Sequence, residues 1–269
     1  MCCTSHYRCD PPARLQPFRL VLLALLSVLA TSEAQAEKCV ARSAGQTTVL
    51  VELYTSEGCS SCPPADRWLS SLGQTYRPEQ VVPLALHVDY WDYIGWKDPY
   101  AKREFSQRQR RLSQQQRLAL VYTPQVLVQG ADFRGWGGSD FARTVARTNA
   151  QPPRAALKLE IVGQSKDAVD LRAQATVMDP GQARDAALYV AAYENRLEST
   201  VTAGENQGRV LSHDRVVLEW LGPFDPGERR VKLALLPKAK PADSGVVAFV
   251  QNRHTAEVLQ AVTLAACSP

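Results

Sequence analysis

The chain has 269 residues, a formal net charge of +4, 45% hydrophobic and 22% charged residues. That length suffices for one large or two small cores. The mild charge argues for solubility and against a nucleic-acid partner.

The first candidate element is a leader. The apolar run FRLVLLALLSVLA ends at Ala30, follows Arg14 and carries Arg19, and Ala34-Gln35-Ala36 follows it as a small-residue cleavage pattern. Charged region, apolar region and cleavage site together predict a secretory signal over residues 1–36. The run is shorter than the roughly 20 residues a membrane span needs, so an uncleaved anchor is the lesser alternative, and no stable membrane association is expected after cleavage. Removal of Cys2, Cys3 and Cys9 would leave four cysteines of seven: Cys39, Cys59, Cys62 and Cys267. An even number in an exported chain suits an oxidising compartment, the periplasm or outside the cell. With Cys59 and Cys62 paired locally, Cys39 and Cys267 are predicted to form a structural disulfide that ties the two ends.

In the next segment, residues 37–150, strands alternate with helices. TTVLVELY predicts a strand that leads through a short polar loop to Cys59-Ser60-Ser61-Cys62, then to a helix from Pro63 to Leu72 with Trp68, Leu69 and Leu72 on one face. Proline suits the first helical turn. A Cys-x-x-Cys at a strand-to-helix junction favours thiol chemistry, because the helix N-terminus carries partial positive charge that stabilises a thiolate. Cys59, on the loop side, is the predicted exposed nucleophile; Cys62, inside the helix, is the resolving thiol. VVPLALHV predicts a buried strand. His87-Val88-Asp89-Tyr90-Trp91 falls at its end, the edge of an open α/β sheet that faces the functional crevice. A long Gln/Arg-rich helix is expected from Asp98 to Leu120, its arginines, Arg108 among them, on a solvated face. QVLVQG and ADFRGW predict two further strands, and Ser139 to Thr148 a closing helix with Ser139 as N-cap. Thr123-Pro124 stands directly before QVLVQG, where a strand tolerates proline, and a cis bond there would be a deliberate feature.

Gln151-Pro152-Pro153-Arg154 reads as a linker, 151–154. Beyond it the apolar period becomes two, in ALKLEIVG, AVDLRAQATVMD, AALYVAAYEN, RVVLEWLG, RRVKLALLP and GVVAFVQNR. With turns such as Asp225-Pro226-Gly227 between them, these predict an antiparallel β-sandwich over residues 155–269. Gly204-Glu205-Asn206-Gln207-Gly208 reads as a turn and His213-Asp214-Arg215 as polar residues where a strand begins; neither carries assigned chemistry.

VLVELYTSEGCSSCPP followed by TPQVLVQG resembles the thioredoxin fold. More narrowly, ELYTSEGCSSCPPADRWL, LHVDYWDYIGWKDPYA, YTPQVLVQG and GENQGRVLSHDRVV together resemble the DUF1223 family of exported bacterial proteins of unknown function, over most of the chain. The resemblance implies an α/β thioredoxin-like domain followed by a β-rich domain, with Cys59 and Cys62 as the redox pair, Pro124 as the cis-proline and Thr123 before it. It also implies that Glu52, near the place of the buried acid of thioredoxins, accepts a proton from the resolving cysteine, although period-two arithmetic can turn Glu52 to the other face. Gly58 departs from the pattern, standing where thioredoxins carry tryptophan.

These readings predict an exported thiol–disulfide oxidoreductase whose partners are protein thiols or disulfides. No dinucleotide fingerprint or P-loop is present, and no cofactor is expected. Two alternatives use the same cysteines: a soft-metal module in which Cys59, Cys62 and His87 hold an ion such as Cu(I), and a binding or scaffold protein in which they form a closed structural disulfide.

Overall fold

The computed structural model describes residues 39–236 and 240–267. The leader assigned to residues 1–36 lies outside them. Strand β1 (Val40–Arg42) is followed by β2 (Val49–Thr55), helix α1 (Pro63–Thr75) and β3 (Val81–His87). β2 and β3 are buried along their whole length and pair in parallel, from Val49 with Val81 to Thr55 with His87. That is the physical meaning of two largely apolar runs joined by a helix.

A 3-10 helix (Asp89–Ile94) and helix α2 (Arg103–Gln115) follow. The helix expected over 98–120 is therefore shorter: Gly95, with φ +97°, stops the 3-10 turn, and α2 begins only after Pro99. Phe105, Arg108, Gln109 and Leu112 form its buried stripe at helical spacing. β4 (Gln125–Val128) pairs antiparallel with β2, and the strand expected over ADFRGW shrinks to β5 (Ala131–Asp132). α3 (Ser139–Asn149) closes this part, with Gly138 in the N-cap position predicted for Ser139.

The second half contributes β6 (Ala155–Gln164), β7 (Ala168–Val177), β8 (Ala186–Glu194), β9 (Leu197–Thr200), β10 (Val210–His213), β11 (Val216–Phe224), β12 (Gly227–Ala234), β13 (Ser244–Asn252) and β14 (Val258–Ala265). Among the described strands, the largest sheet has the order β14-β13-β8-β11-β3-β2-β4-β5 and crosses the 151–154 boundary: β11 lies between β8, its antiparallel neighbour, and β3, its parallel one. A four-stranded sheet, β1-β6-β7-β12, and the β9–β10 hairpin complete the strands.

The packing follows from strand parity. Leu50, Tyr54, Leu84, Tyr189, Val247 and Phe249 line one face of the large sheet, under Phe105 and Leu112 of α2. On the opposite face, Val51, Leu53 and Ala85 meet α1 and α3. Farther along that face, Leu188, Val190, Val246 and Ala248 meet Leu157, Leu159, Leu171 and Leu233 of the smaller sheet. Two β layers do stack, as the period of two predicts, but one of them is the continuation of the α/β sheet. The described residues from Cys39 onward fall in one compact unit. Cys39 is bonded to Cys267 beside the core between the sheets. The molecule is thus mixed α/β, dominated by antiparallel pairing.

Candidate functional site around the Cys59–Cys62 disulfide

β2 delivers the chain to the end of the parallel pair, and the Cys-x-x-Cys forms the turn into α1. Cys62 is the N-cap, with Pro63 and Pro64 in the first turn, where their missing N–H groups cost nothing. Cys59 and Cys62 are bonded to each other, and the Sγ of Cys59 lies 3.3 Å from the Ser61 hydroxyl. The helix field thus acts on the pair. The expected exposure does not hold: Cys59 and Cys62 are both 0% exposed, while Ser60 and Ser61 between them face solvent.

Gly58 explains its own departure from the thioredoxin pattern. A Cβ there would meet the Cβ of Trp91 at 3.2 Å and Cδ1 of Ile94 at 3.3 Å. The 3-10 helix after β3 fills the space next to the first cysteine. Its Trp91 indole N–H donates to the Thr123 hydroxyl at 2.8 Å. The Thr123-Pro124 peptide is cis and leads directly into β4, whose Gln125 pairs with Tyr54 near the end of β2. Thr123, Pro124 and the cysteine turn therefore lie at the same end of the sheet.

A cluster of buried titratable groups adjoins this turn. Glu57 (0% exposed), two residues before Cys59, has Oε1 3.0 Å from Nε2 of His213, and its Oε2 accepts the Trp96 indole N–H at 2.8 Å. Asp98 accepts the Glu57 backbone N–H at 2.9 Å, the Tyr100 N–H at 2.9 Å, and Nδ1–H of His87 at 2.7 Å. The His87 and His213 rings meet edge to face, 4.9 Å apart. Burial alone would raise the Asp98 carboxyl, but His87 and the two backbone N–H groups hold it below its ordinary value. Burial pushes His87 down; the Asp98 carboxylate outweighs this and keeps it above its ordinary value. Asp66, one turn after Cys62 and bonded through its N–H to the Cys62 carbonyl, is pushed up by burial, with His213 and His87 pulling back only part of that. Asp66 Oδ1 and His87 Nε2 are buried without hydrogen-bond partners.

Glu52 is not part of this cluster. It shares the parity of Leu50 and Tyr54, on the sheet face opposite α1, and its carboxylate is held by Arg108 at 2.7 and 3.0 Å. Arg108 also donates to Gln251 at 2.9 Å and lies over the rings of Tyr189, Trp220 and Phe249. Arg108, expected on a solvated face, is 2% exposed. The soft-metal set is not assembled either. Cys59 and Cys62 are bonded together, His87 Nδ1 is engaged by Asp98, and among the described residues no group of three or more His, Cys, Asp or Glu side chains is arranged to hold a metal ion.

Two segments left without assigned chemistry prove to border the cysteines. His213, at the end of β10, holds Glu57. Asn206, in the β9–β10 turn, donates through Nδ2 to the carbonyls of Glu57 and Cys59 at 2.8 and 2.9 Å. Its neighbour Glu205 accepts the Ser60 N–H at 3.0 Å and the Ser60 hydroxyl at 2.7 Å. A polar five-residue turn bracketed by two glycines, Gly204 and Gly208, was the available signal; both have φ near +80°.

The family model for DUF1223, proteins of unknown function, matches residues 50–251. The chain belongs to the DUF1223 family. All the residues of the cysteine turn, the carboxylate–histidine pairs and the Asn206 turn lie inside the matched span. A solved protein from Agrobacterium tumefaciens is similar to the chain at 30% identity, covering 82% of this chain and 96% of that one with a TM-score of 0.56. HBP35 of Porphyromonas gingivalis shares the fold at 17% identity and a TM-score of 0.61, covering 83% of this chain and 76% of that one. No curated protein matches. The two disulfides are consistent with a protein that works outside the cytoplasm. Among the described residues no helix is long and apolar enough to cross a membrane.

Proposed function

We propose that this DUF1223 protein is an exported thioredoxin-like thiol–disulfide oxidoreductase acting on protein thiols or disulfides in the periplasm or outside the cell. The observation that carries the reading is the Cys59–Cys62 bond at the N-terminus of α1, directly after a central parallel strand. Thr123-Pro124 before β4 completes a strand–cysteine pair–helix–strand arrangement of the thioredoxin kind.

In the oxidising direction a substrate thiolate attacks Sγ of Cys59. A mixed disulfide forms, the Cys59–Cys62 bond breaks, and Cys62 leaves as a thiolate that the helix field stabilises before it is protonated. A second substrate thiolate then attacks the substrate sulfur of the mixed disulfide and releases Cys59. The substrate loses two electrons and two protons, and the cysteine pair gains them. The reducing direction is the same sequence reversed.

The test is a Cys62→Ser chain expressed with its leader in a bacterium. Without the resolving thiol, mixed disulfides at Cys59 accumulate and are seen as adducts that dissolve on reduction. The full burial of both cysteines favours a second reading, a closed structural disulfide in a binding protein. If the Cys62→Ser chain captures nothing and the wild-type protein exchanges no thiols, that second reading stands and the enzymatic one falls.

A further inference from the structure

The turn that carries the buried cysteine pair is bonded by an element that lies outside the two larger sheets. The β9–β10 hairpin forms its own two-stranded ladder, from Leu197 with His213 to Thr200 with Val210. At its base, His213 is bound to Glu57. At its tip, the guanidinium of Arg209 donates to Oδ1 of Asn206 at 2.9 Å, which fixes the amide so that Nδ2 faces the Glu57 and Cys59 carbonyls. Asn206 is 0% exposed. Glu205, on the solvent side, takes both hydrogen-bond donors of Ser60, and those two bonds hold its carboxyl below the ordinary value. The turn is seated against the 3-10 segment as well: a Cβ on Gly204 would lie 2.9 Å from Cδ1 of Ile94.

The Cys59 carbonyl and the Ser60 N–H belong to the peptide that directly follows the first cysteine. Here Asn206 and Glu205 already occupy them. From this arrangement we infer that Asn206 and Glu205 are specificity-determining residues: they keep free small thiols from Cys59 and admit a protein partner whose own backbone replaces their hydrogen bonds. The inference rests on the thiol–disulfide reading of the pair. It assigns the second half of the chain a part in the reaction, since the turn lies beyond residue 151.

Reduction by dithiothreitol tests it, because that dithiol supplies both electrons and needs no docking surface. The rate is followed by trapping the Cys59 and Cys62 thiols with a labelled maleimide in wild-type, Asn206→Ala and Glu205→Gln proteins. Loss of the two Asn206 bonds shifts the closed-to-open balance of the turn, and the rate rises about tenfold. Glu205→Gln weakens only the charge-assisted bonds to Ser60 and raises the rate about threefold. Rates within twofold of wild type in both variants, with unchanged circular dichroism, overturn the inference. Glu205 is exposed, so Glu205→Gln alone decides the matter if Asn206→Ala fails to fold: a faster rate supports it and an unchanged rate overturns it. Failure of the enzymatic reading would show instead as absent mixed disulfides in the Cys62→Ser experiment, a measurement that does not depend on the turn.

Discussion

His87 and Asp98 show how much a single buried pair can govern. Both are closed off from water, and each shifts the other toward its charged form. His87 has its folded value above the ordinary 6.5, so its contribution to stability is complete below that and is lost as pH rises through the folded value. Asp98 has its folded value below the ordinary 3.8, so its contribution is complete above that and is lost as pH falls through the folded value. The pair therefore stabilises the fold most between roughly pH 4 and 6.5. Asp66 acts in the opposite sense, favouring its neutral form, so its burial costs stability as pH rises above the ordinary carboxyl value. Asp98→Asn is expected to cost about 3–5 kcal/mol near pH 6, because it leaves a buried imidazole without its counter-charge. Urea midpoints measured from about pH 2 to 8 check this: the difference between wild type and variant should be largest between roughly pH 4 and 6.5 and shrink on either side. His87 was visible as a candidate from its place at the end of an apolar strand. Its partner was not, because Asp98 lies beyond a 3-10 turn whose path nothing in the local pattern predicts.

At the scale of elements, α2 is the clearest case of tertiary context overriding a local reading. Its polar composition suggests a solvated helix, yet Arg108 is the residue that fastens it to the sheet. Burial alone would depress the guanidinium, and the Glu52 carboxylate more than offsets that. Three aromatic rings and Gln251 complete the enclosure. Removing one member of such a pair strands the other, so Arg108→Met is expected to destabilise the protein by about 3–5 kcal/mol. Glu52→Gln keeps the shape and should leave the rate of thiol exchange unchanged, because Glu52 faces away from α1. Stopped-flow exchange with a model peptide disulfide measures the second expectation, and a rate loss of tenfold or more would return Glu52 to the reacting centre. Strand parity already permitted either face for Glu52. The position of Arg108, 56 residues later in the chain, selected one.

For the whole molecule, the shared sheet matters most. β11, from the second half, hydrogen-bonds to β3, from the first, and the Cys39–Cys267 bond spans a sequence separation of 228 residues. The core under α2 therefore draws on both halves of the described chain. Unfolding should be a single transition, seen alike by a chain retaining only Trp68 and by one retaining only Trp220. Two midpoints separated by more than the fitting error in urea would support a two-domain division at 151–154.

By itself the sequence determined the local features: the apolar runs of the parallel strands, the cysteine turn into a proline-started helix, and the period-two strands of the second half. These follow from side-chain periodicity and backbone stereochemistry, which act over a few residues. Tertiary structure alone decided that the second half extends the first sheet, that Asp98 and His213 meet His87 and Glu57, and that Asn206 seals the turn around Cys59. Those outcomes depend on contacts between segments 11 to 156 residues apart. At such distances the pairing is chosen by the complementarity of whole surfaces and by the need to satisfy every buried polar group, neither of which is written in any one segment.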